Sequence, residues 1–551
     1  MATERLPKIV GADFEVGNFQ SGHEGEGDSC REASAALLRT IDGFPRTERR
    51  HAGVCNCREC VARWGLGYGA GYGAVSSEPV YDPQDRGRRF VATGHCFYID
   101  LEHFELCLPE VRSAKDFVAA KRAALLLARR ALIEANAYLP QERRIVVLLN
   151  NSDGQGHSYG THYNFLVSRR CWDQIFGRKL HHLLWLSAYQ ASAAVLFGAG
   201  KVGTENGAPR APYSLSARAD FIERLMGPHT TFQRPLCNSR DEPLCGNAYR
   251  SSGDVERARS HVICFDHALA DGGVFLTAGV GQIVHAMLES GRVNSALLLE
   301  DPLDALTRWS QDPTLTAQAE LLDGKRVTVV ELQRMFLHEA RRFAADGDLE
   351  GIVPDSAEIL DYWEETLAML AARDMAAASR RLDWALKLRI LEEAMRERPE
   401  LTWESPELKH LDLMYSSLDE AEGLFFVLDG AGETERIVGD AEVARFLQGP
   451  PPDTRAWTRG ELLRRAGAEV DDVDWDRIRF KTKDRDGNTC YRVVDLPDPA
   501  GFSREVSGPV FRESLALGEL LDRLGATTDE FLTPRKRPYG HVPGGKNDEY
   551  A

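Results

Sequence analysis

An α+β fold is expected from three observations. Short apolar runs alternate with strongly helical stretches over the first 300 or so residues. Helical periodicity then dominates from about 300 to 415. After Tyr415 short strands return (GLFFVL, RIRFKTK, TCYRVVDL) around a capped helix at TRGELLRRAG.

Taken in order, PKIVGADFEVG at 7–17 reads as a strand. A polar, glycine-rich segment from 18 to 90 follows, with one helix at Ala33–Ile41 and the run GLGYGAGYGA at 65–74. Its length marks it as an inserted loop, either functional or mobile. GHCFYIDLEHFEL at 94–106 reads as one strand. The helix after Ser113 has a capping-box-like start, Ser113 with Asp116, and stops at Pro140. RIVVLLNN at 144–151 is a buried strand that runs into SDGQGHSYGTHYN and then the strand FLVS. Leu180–Phe197 is a helix, HVICFDHAL at 261–269 a strand and 275–290 an apolar helix. Thr328 and Glu331 form a second capping box. GPPPDT at 449–454 is a stiff hinge, and PRKRPYGHVPGGKNDEYA at the end reads as a disordered tail. Length alone allows about three to four domains. The pattern gives two: 1–415 with 18–90 inserted, and 416–533, followed by the tail 534–551.

Acids exceed bases by 84 − 67, a formal charge of −17. A fold-wide basic footprint is excluded, so neither nucleic acid nor an anionic membrane is an expected partner. A local basic pocket for a phosphate ligand remains compatible with that charge. Nothing approaches the roughly 18 apolar residues of a spanning helix, and the first residues lack a signal-peptide core. Eleven cysteines in 551 residues fit reduced thiols in a cytoplasm.

Four clusters carry the chemistry. Asp13 and Glu15 point to one face of an otherwise apolar strand, where a divalent cation would relieve their repulsion; a solvated edge strand is the alternative. Asp100, Glu102, His103 and Glu105 close the strand GHCFYID, and hard oxygen ligands of this kind suit Mg²⁺; solvated charges at a strand end are the alternative. Asn150–Asn164 is a polar loop containing His162 and Asn164, whose glycines free backbone amides to approach an anion. Arg240 in NSRDEP, and Arg259 with His261 on one strand face, supply phosphate-matching guanidiniums and a metal-ligating imidazole; the alternative is a satisfied core histidine.

Three signals are discounted. GAGKVG at 198–203 lacks the rest of a P-loop. GLGYGAGYGA neither follows a clear strand nor opens a clear helix. Cys55, Cys57 and Cys60 with His51 could bind zinc, but they are crowded into ten residues without a second half-site; free thiols or a redox loop are the alternative.

Taken together the clusters resemble the Pup ligase and depupylase (Pup deamidase) family, whose catalytic domain is glutamine-synthetase-like. The resemblance spans about 8–500. It rests on GADFEVG, GHCFYIDLEHFELCLPE, NNSDGQGHSYGTHYNFLVSR, GAGKVG, SLSARADFIE, NSRDEP, RSHVI, LDWALKLRILE, HLDLMYSSLD and PPDTRAWTRGELLRR, in register. It implies a curved antiparallel sheet packed with helices and cradling ATP and Mg²⁺, plus a small C-terminal α/β domain. By the same resemblance Asp13, Glu15, Tyr98, Glu105 and His261 surround the metal, and Asp100 is the catalytic aspartate. Arg240, Arg259, His162 and Asn164 face the nucleotide, and Arg455 and Arg459 help close the site.

The family holds two chemistries, ligation of a Pup-like modifier to lysine through an acyl phosphate, and hydrolysis of its side-chain amide or isopeptide. The 85-residue spacing from Glu15 to Asp100 (100 − 15), with QGHSYGTH and SARADFIE, is closer to the depupylase branch. The reading is therefore an ATP- and Mg²⁺-dependent amidase or isopeptidase, with the ligase and an inactive nucleotide-binding regulator as alternatives. Its expected partners are a Pup-like modifier and its lysine conjugates. Three departures stand out. Asp13 replaces a glutamate, His-Tyr-Asn-Phe at 162–165 replaces His-Glu-Asn-Tyr, and His-Phe-Glu-Leu at 103–106 replaces His-Pro-Glu-Tyr.

Overall fold

The computed structural model describes residues 6–22, 29–44, 87–242, 244–245, 256–484 and 486–529. CNCREC, GLGYGAGYGA and the C-terminal tail lie outside the described residues.

The strands are β1 (Val10–Glu15), β2 (Gly17–Gln20), β3 (Arg89–Phe90), β4 (Cys96–Asp100), β5 (His103–Cys107), β6 (Ile145–Leu148), β7 (Thr161–Ser168), β8 (Lys201–Val202) and β9 (Tyr213–Ser214). They continue with β10 (Arg224–Gly227), β11 (Pro235–Asn238), β12 (Arg257–Val262), the hairpin β13 (Gln318–Glu320) and β14 (Arg326–Thr328), and β15 (Val470–Asp474), β16 (Arg477–Lys483), β17 (Thr489–Asp495) and β18 (Thr527–Asp529). One large sheet has the order β10-β11-β12-β7-β1-β5-β4-β3, antiparallel throughout except for the parallel pair β10–β11. The α+β reading with a mainly antiparallel sheet therefore holds.

Register decides which side chains meet. Asp13 lies opposite Cys107 and His162, Glu15 opposite Glu105, and Glu105 opposite Tyr98. His261 lies opposite Asn164. Because side chains alternate along a strand, all of these share one face. Phe14, Phe104, Leu106, Tyr163 and Phe165 fill the other face and are buried. That face packs on helices Ala114–Asn136 and Asp271–Glu289. Phe117 stacks on Tyr163 at 5.2 Å, and a Cβ at Gly281 would come within 2.4 Å of the Phe165 ring, so only glycine lets this helix lie so close.

Several elements differ from expectation. Residues 94–106 form a hairpin rather than one strand. It turns at Leu101 and Glu102, whose φ values are 44° and 78°, and pairs Asp100 with His103. Leu-Glu is not the Asn-Gly or Gly-Gly that announces such a turn. Neighbours hold it instead: Ser34 Oγ donates to Glu102 O at 2.6 Å, the Phe104 amide donates to Asn18 Oδ1 at 3.0 Å, and His103 Nδ1 lies 2.9 Å from Val16 O. GLFFVL is helical, Leu424–Gly430, with Phe425 edge-on to Tyr415 at 5.9 Å. An apolar run this short carries no period to separate helix from strand. Leu180–Phe197 is interrupted at Ala193.

The helices Leu424–Gly430 and Asp440–Gln448 pack into the main core through Phe425, Val443 and Phe446. A second core begins beyond the proline run. It joins Leu462, Phe480, Val494 and Phe511 of the β15–β18 sheet and its helices to Phe90, Cys96 and Cys107 at the edge of the large sheet. Among the described residues no helix is long and apolar enough to cross a membrane.

Candidate functional site

The polar face of the large sheet floors a cleft of about 200 Å³. Two groups of possible ligands meet there. The ligand atoms of Asp13, His162 and His261 lie within 4.8 Å of one another, as do those of Glu15, Asp100 and Glu105. Asp13 is pinned by His162 Nδ1 at 2.7 Å and by Asn164 Nδ2 at 2.8 Å. Burial works against its charge, but His162, Arg259 and Asn164 outweigh burial, and its pKa falls below the ordinary value. Glu15 accepts the Gly160 amide at 2.5 Å. Glu105 is driven well above the ordinary carboxyl range, first by burial and then by Asp13, Asp100 and Glu15. Tyr98 hydrogen-bonds to it, and its own phenol is pushed up, mainly by burial.

These residues fit a divalent cation. Glu105 Oε2 and both ring nitrogens of His261 are buried without a hydrogen-bond partner. Such atoms are costly to bury unless something else binds them. Burial, then Arg259, His162 and Arg240, holds the His261 pKa well below normal. Its imidazole is therefore neutral, with a lone pair to offer. Three carboxylates within 4.8 Å repel each other until a cation neutralises them.

The cationic wall is larger than the sequence suggested. Arg259 donates to Asn164 Oδ1 at 3.0 Å, and Arg240 pairs with Glu242 at 2.7 Å. Arg234, which the sequence analysis did not single out, lines the cleft with them, and Arg218, also passed over, is buried near Arg234. Arg218 is fully buried and donates to Tyr159 O at 2.5 Å, while its Nε and Nη2 have no partner. Burial and then Arg234 pull its pKa down to about 10. Arg234 reaches the same loop through Ser158 O at 3.2 Å and lines the cleft. An arginine amid the small residues of SLSARADF was the available signal.

Arg455 lines the cleft, whereas Arg459 does not. Both bind Glu110, Arg455 Nε at 2.8 Å and Arg459 Nη2 at 2.7 Å. Glu110, also missed from the sequence, thereby clamps the small C-terminal unit to the sheet. The glycine amides of the loop 150–160 are already taken. Gly154 N–H donates to Ser152, Gln155 N–H to Asp153 and Gly156 N–H to Glu205. Lys201 of GAGKVG is buried between Asp220 at 2.6 Å and Glu205 at 2.9 Å, a structural role rather than a phosphate-binding one.

Residues 49–479 match the Pup-ligase protein family. The chain belongs to this family. It is 35% identical to the depupylase of Acidothermus cellulolyticus over 80% of this chain and 82% of that one. It is 32% identical to the Pup deamidase/depupylase of Mycolicibacterium smegmatis over 81% and 85%. It is also 32% identical to the Pup–protein ligase of Kineococcus radiotolerans over 74% and 86%. Among solved structures it resembles the ligase PafA in its complex with the prokaryotic ubiquitin-like protein Pup, with a TM-score of 0.72, 22% identity and coverage of 95% and 94%. PafA in complex with ADP gives a TM-score of 0.66 at 24% identity, with coverage of 81% and 91%. These two structures share the fold of this family member.

Two of the three departures from the family pattern fall on the back of the sheet. Tyr163 is buried there, edge-on to Phe14 at 6.1 Å and stacked on Phe117. Phe104 and Leu106 are buried beside Glu105 on that same apolar face. Asp13 instead stands on the cleft face, in register with Cys107 and His162.

Proposed function

We propose that this family member is an ATP- and Mg²⁺-dependent amidase and isopeptidase. Its substrate would be the side-chain amide of a Pup-like modifier, deamidated in the free protein and released from lysine in conjugates. The observation that carries the reading is the position of Asp100. Its carboxylate, at the end of β4, stands with the buried Glu15 and Glu105 and is itself partly exposed in the cleft. The depupylases at 35% and 32% identity over four-fifths of the chain support the hydrolytic branch.

Asp13, Glu15, Glu105 and His261 would hold Mg²⁺, with Tyr98 orienting Glu105. Arg240 and Arg259, with His162 and Asn164, would face the nucleotide. When bound, Mg²⁺ and ATP supply a neutralised, polarised phosphate group in the cleft. Asp100 takes a proton from the water that attacks the amide carbon. The C–N bond then breaks, and the nitrogen leaves with a proton as ammonia or as the lysine amine. Arg240 and Arg259 stabilise negative charge where it develops. No disulfide joins the eight described cysteines, which fits a reducing cytoplasm.

A carboxylate–amine ligase is the second reading, favoured by 32% identity to the Kineococcus ligase. There Asp100 would deprotonate the lysine amine instead. Incubation with a glutamine-ended Pup-like protein, and separately with a conjugate, decides between them. The proposal expects ammonia and free protein, both dependent on Mg·ATP. Stoichiometric ADP and phosphate release that requires an amine acceptor, without amide cleavage, would overturn it.

A further inference from the structure

The hairpin that ends β4 presents a side chain with no part in the chemistry above. Asp100 pairs with His103, so Leu101 and Glu102 form a two-residue turn, with φ values of 44° and 78°. Turns with positive φ at both central residues favour asparagine and glycine. A leucine there is strained, and such strain persists only where the surroundings fix it. Three neighbours do so here. Ser34 Oγ and Cys30 Sγ of helix Ser29–Thr40 donate to Glu102 O at 2.6 and 3.4 Å. Asn18 Oδ1 of β2 accepts from the Phe104 amide, and the His103 ring lies 4.6 Å from the Tyr159 ring. The tip is thus held from behind, while Leu101 lines the cleft and is 62% exposed. Among the described residues it is the one large, exposed apolar side chain of the cleft. Ile9, Leu108, Phe165 and Leu166 are buried there, and Leu244 and Trp475 are half-buried.

We propose that Leu101 recognises the aliphatic stem of the lysine in conjugates, and so sets the preference of the cleft for an isopeptide over a primary amide. This role rests on the hydrolytic reading of the cleft. The two substrates of that reaction differ only at the amide nitrogen. In the free modifier it carries hydrogens alone, whereas in a conjugate it carries the four methylenes of a lysine. Asp100 serves the bond that breaks, so the scissile nitrogen lies close to it and the stem starts there. The Cα of Leu101 is only about 3.8 Å from that of Asp100. Around it the cleft presents Asp13, Glu15, Arg240 and Arg259, which offer charge rather than apolar surface. Leu101 is where a methylene chain leaving Asp100 can shed water. Because the turn is fixed beforehand, little ordering is lost on contact. Covering one or two methylenes then favours the longer stem roughly tenfold in kcat/KM.

The test uses the full chain with Mg·ATP and glutamine-ended Pup, presented as the primary amide, the N-methyl amide, the N-butyl amide and a lysine conjugate. The two alkyl amides share their chemistry at the nitrogen, so their ratio reads the stem alone. In the parent, kcat/KM should be roughly tenfold higher for the N-butyl than for the N-methyl amide. That preference should vanish in Leu101→Asn and return in Leu101→Met, and the lysine conjugate should follow the N-butyl amide. Asparagine tolerates positive φ and the leucine is exposed, so Leu101→Asn should keep the parent's thermal midpoint. A turn that served only to place Asp100 would lower all four substrates together and leave the ratio as it was. Cleavage with no N-butyl preference in the parent, or with the same preference in Leu101→Asn, would overturn the role of Leu101 and leave the hydrolytic reading standing. Absence of cleavage of all four by the parent would overturn that reading, and this role with it.

Discussion

Glu110 offers the sharpest test of how the small C-terminal unit is held. Its carboxylate is buried and receives Arg455 Nε at 2.8 Å and Arg459 at 2.7 and 3.2 Å. Burial alone would raise its pKa, but the two arginines outweigh burial and bring it from 4.5 down to about 2. That gap corresponds to roughly 3 kcal/mol. Because the folded-state pKa is depressed, this stabilisation is complete above about 4.5 and is lost as pH falls toward about 2. Replacing Glu110 with alanine strands two buried guanidiniums, which costs about 3–5 kcal/mol by an independent route. The two figures agree. Hydrogen exchange of the amides in helix Arg455–Ala466 is the natural assay, since it reads local opening in a chain too large for simple two-state unfolding. In Glu110→Ala these amides should exchange roughly 100-fold faster near neutral pH. In Glu110→Gln the deficit relative to the parent should shrink as pH drops through the same window. Unchanged protection in Glu110→Ala, or a pH-independent difference for Glu110→Gln, would refute the clamp.

Three further outcomes follow from the cleft. Asp100→Asn should lower amide cleavage by about 10²–10⁴ while nucleotide affinity, measured by calorimetry, stays at the parent value; unaltered turnover would remove Asp100 from the chemistry. His261→Ala should weaken Mg·ATP binding yet leave the thermal midpoint of the ligand-free protein nearly unchanged, because the cavity it leaves is offset by relief of about 1–3 kcal/mol from two unpaired buried nitrogens. Unchanged nucleotide affinity would separate this imidazole from the metal. Lys201→Met should destabilise the fold by about 3–5 kcal/mol in urea titrations, since Asp220 and Glu205 lose their buried cation. Its nucleotide affinity should not change, and a selective loss of ATP binding would restore a phosphate role for GAGKVG.

The fold was legible where one physical rule dominates. β1 read directly from alternation, because one face is apolar and the other carries Asp13 and Glu15, and the same rule put Arg259 and His261 on one face of β12; the first half of β7, with His162 and Asn164, had read as polar loop because its own residues are mostly polar. It was illegible where tertiary contacts override local preference. The hairpin after Asp100 turns on a leucine and a glutamate that would not choose positive φ alone; Asn18 and Ser34, some seventy to ninety residues earlier, supply the hydrogen bonds that hold it. The helix at 424–430 was lost because seven apolar-rich residues carry too little periodicity. Arg218, Arg234 and Glu110 were passed over for a related reason. Their role lies in partners 59 to 349 residues away, which spacing along the chain does not encode.

The same alternation gives the departures from the family pattern a physical ranking. In β7 the positions at 162 and 164 face the cleft, so a change at 163 must be read as a change of core packing. Tyr163 fits that reading, lying among Phe14, Phe117, Phe165 and Phe265. Phe104 and Leu106 flank Glu105 in the same way, and their apolar side chains thicken the layer beneath it. A drier surround raises the Glu105 pKa further and makes a cation more necessary to its charge. Asp13 is different. It is one methylene shorter than glutamate and is drawn toward β7 by His162 and Asn164. Both of its oxygens are engaged by that strand, so a cation approaching it must share them with an imidazole and an amide. Asp13 therefore bears on how a cation in the cleft would be held, whereas Tyr163, Phe104 and Leu106 leave the cleft's donor set intact.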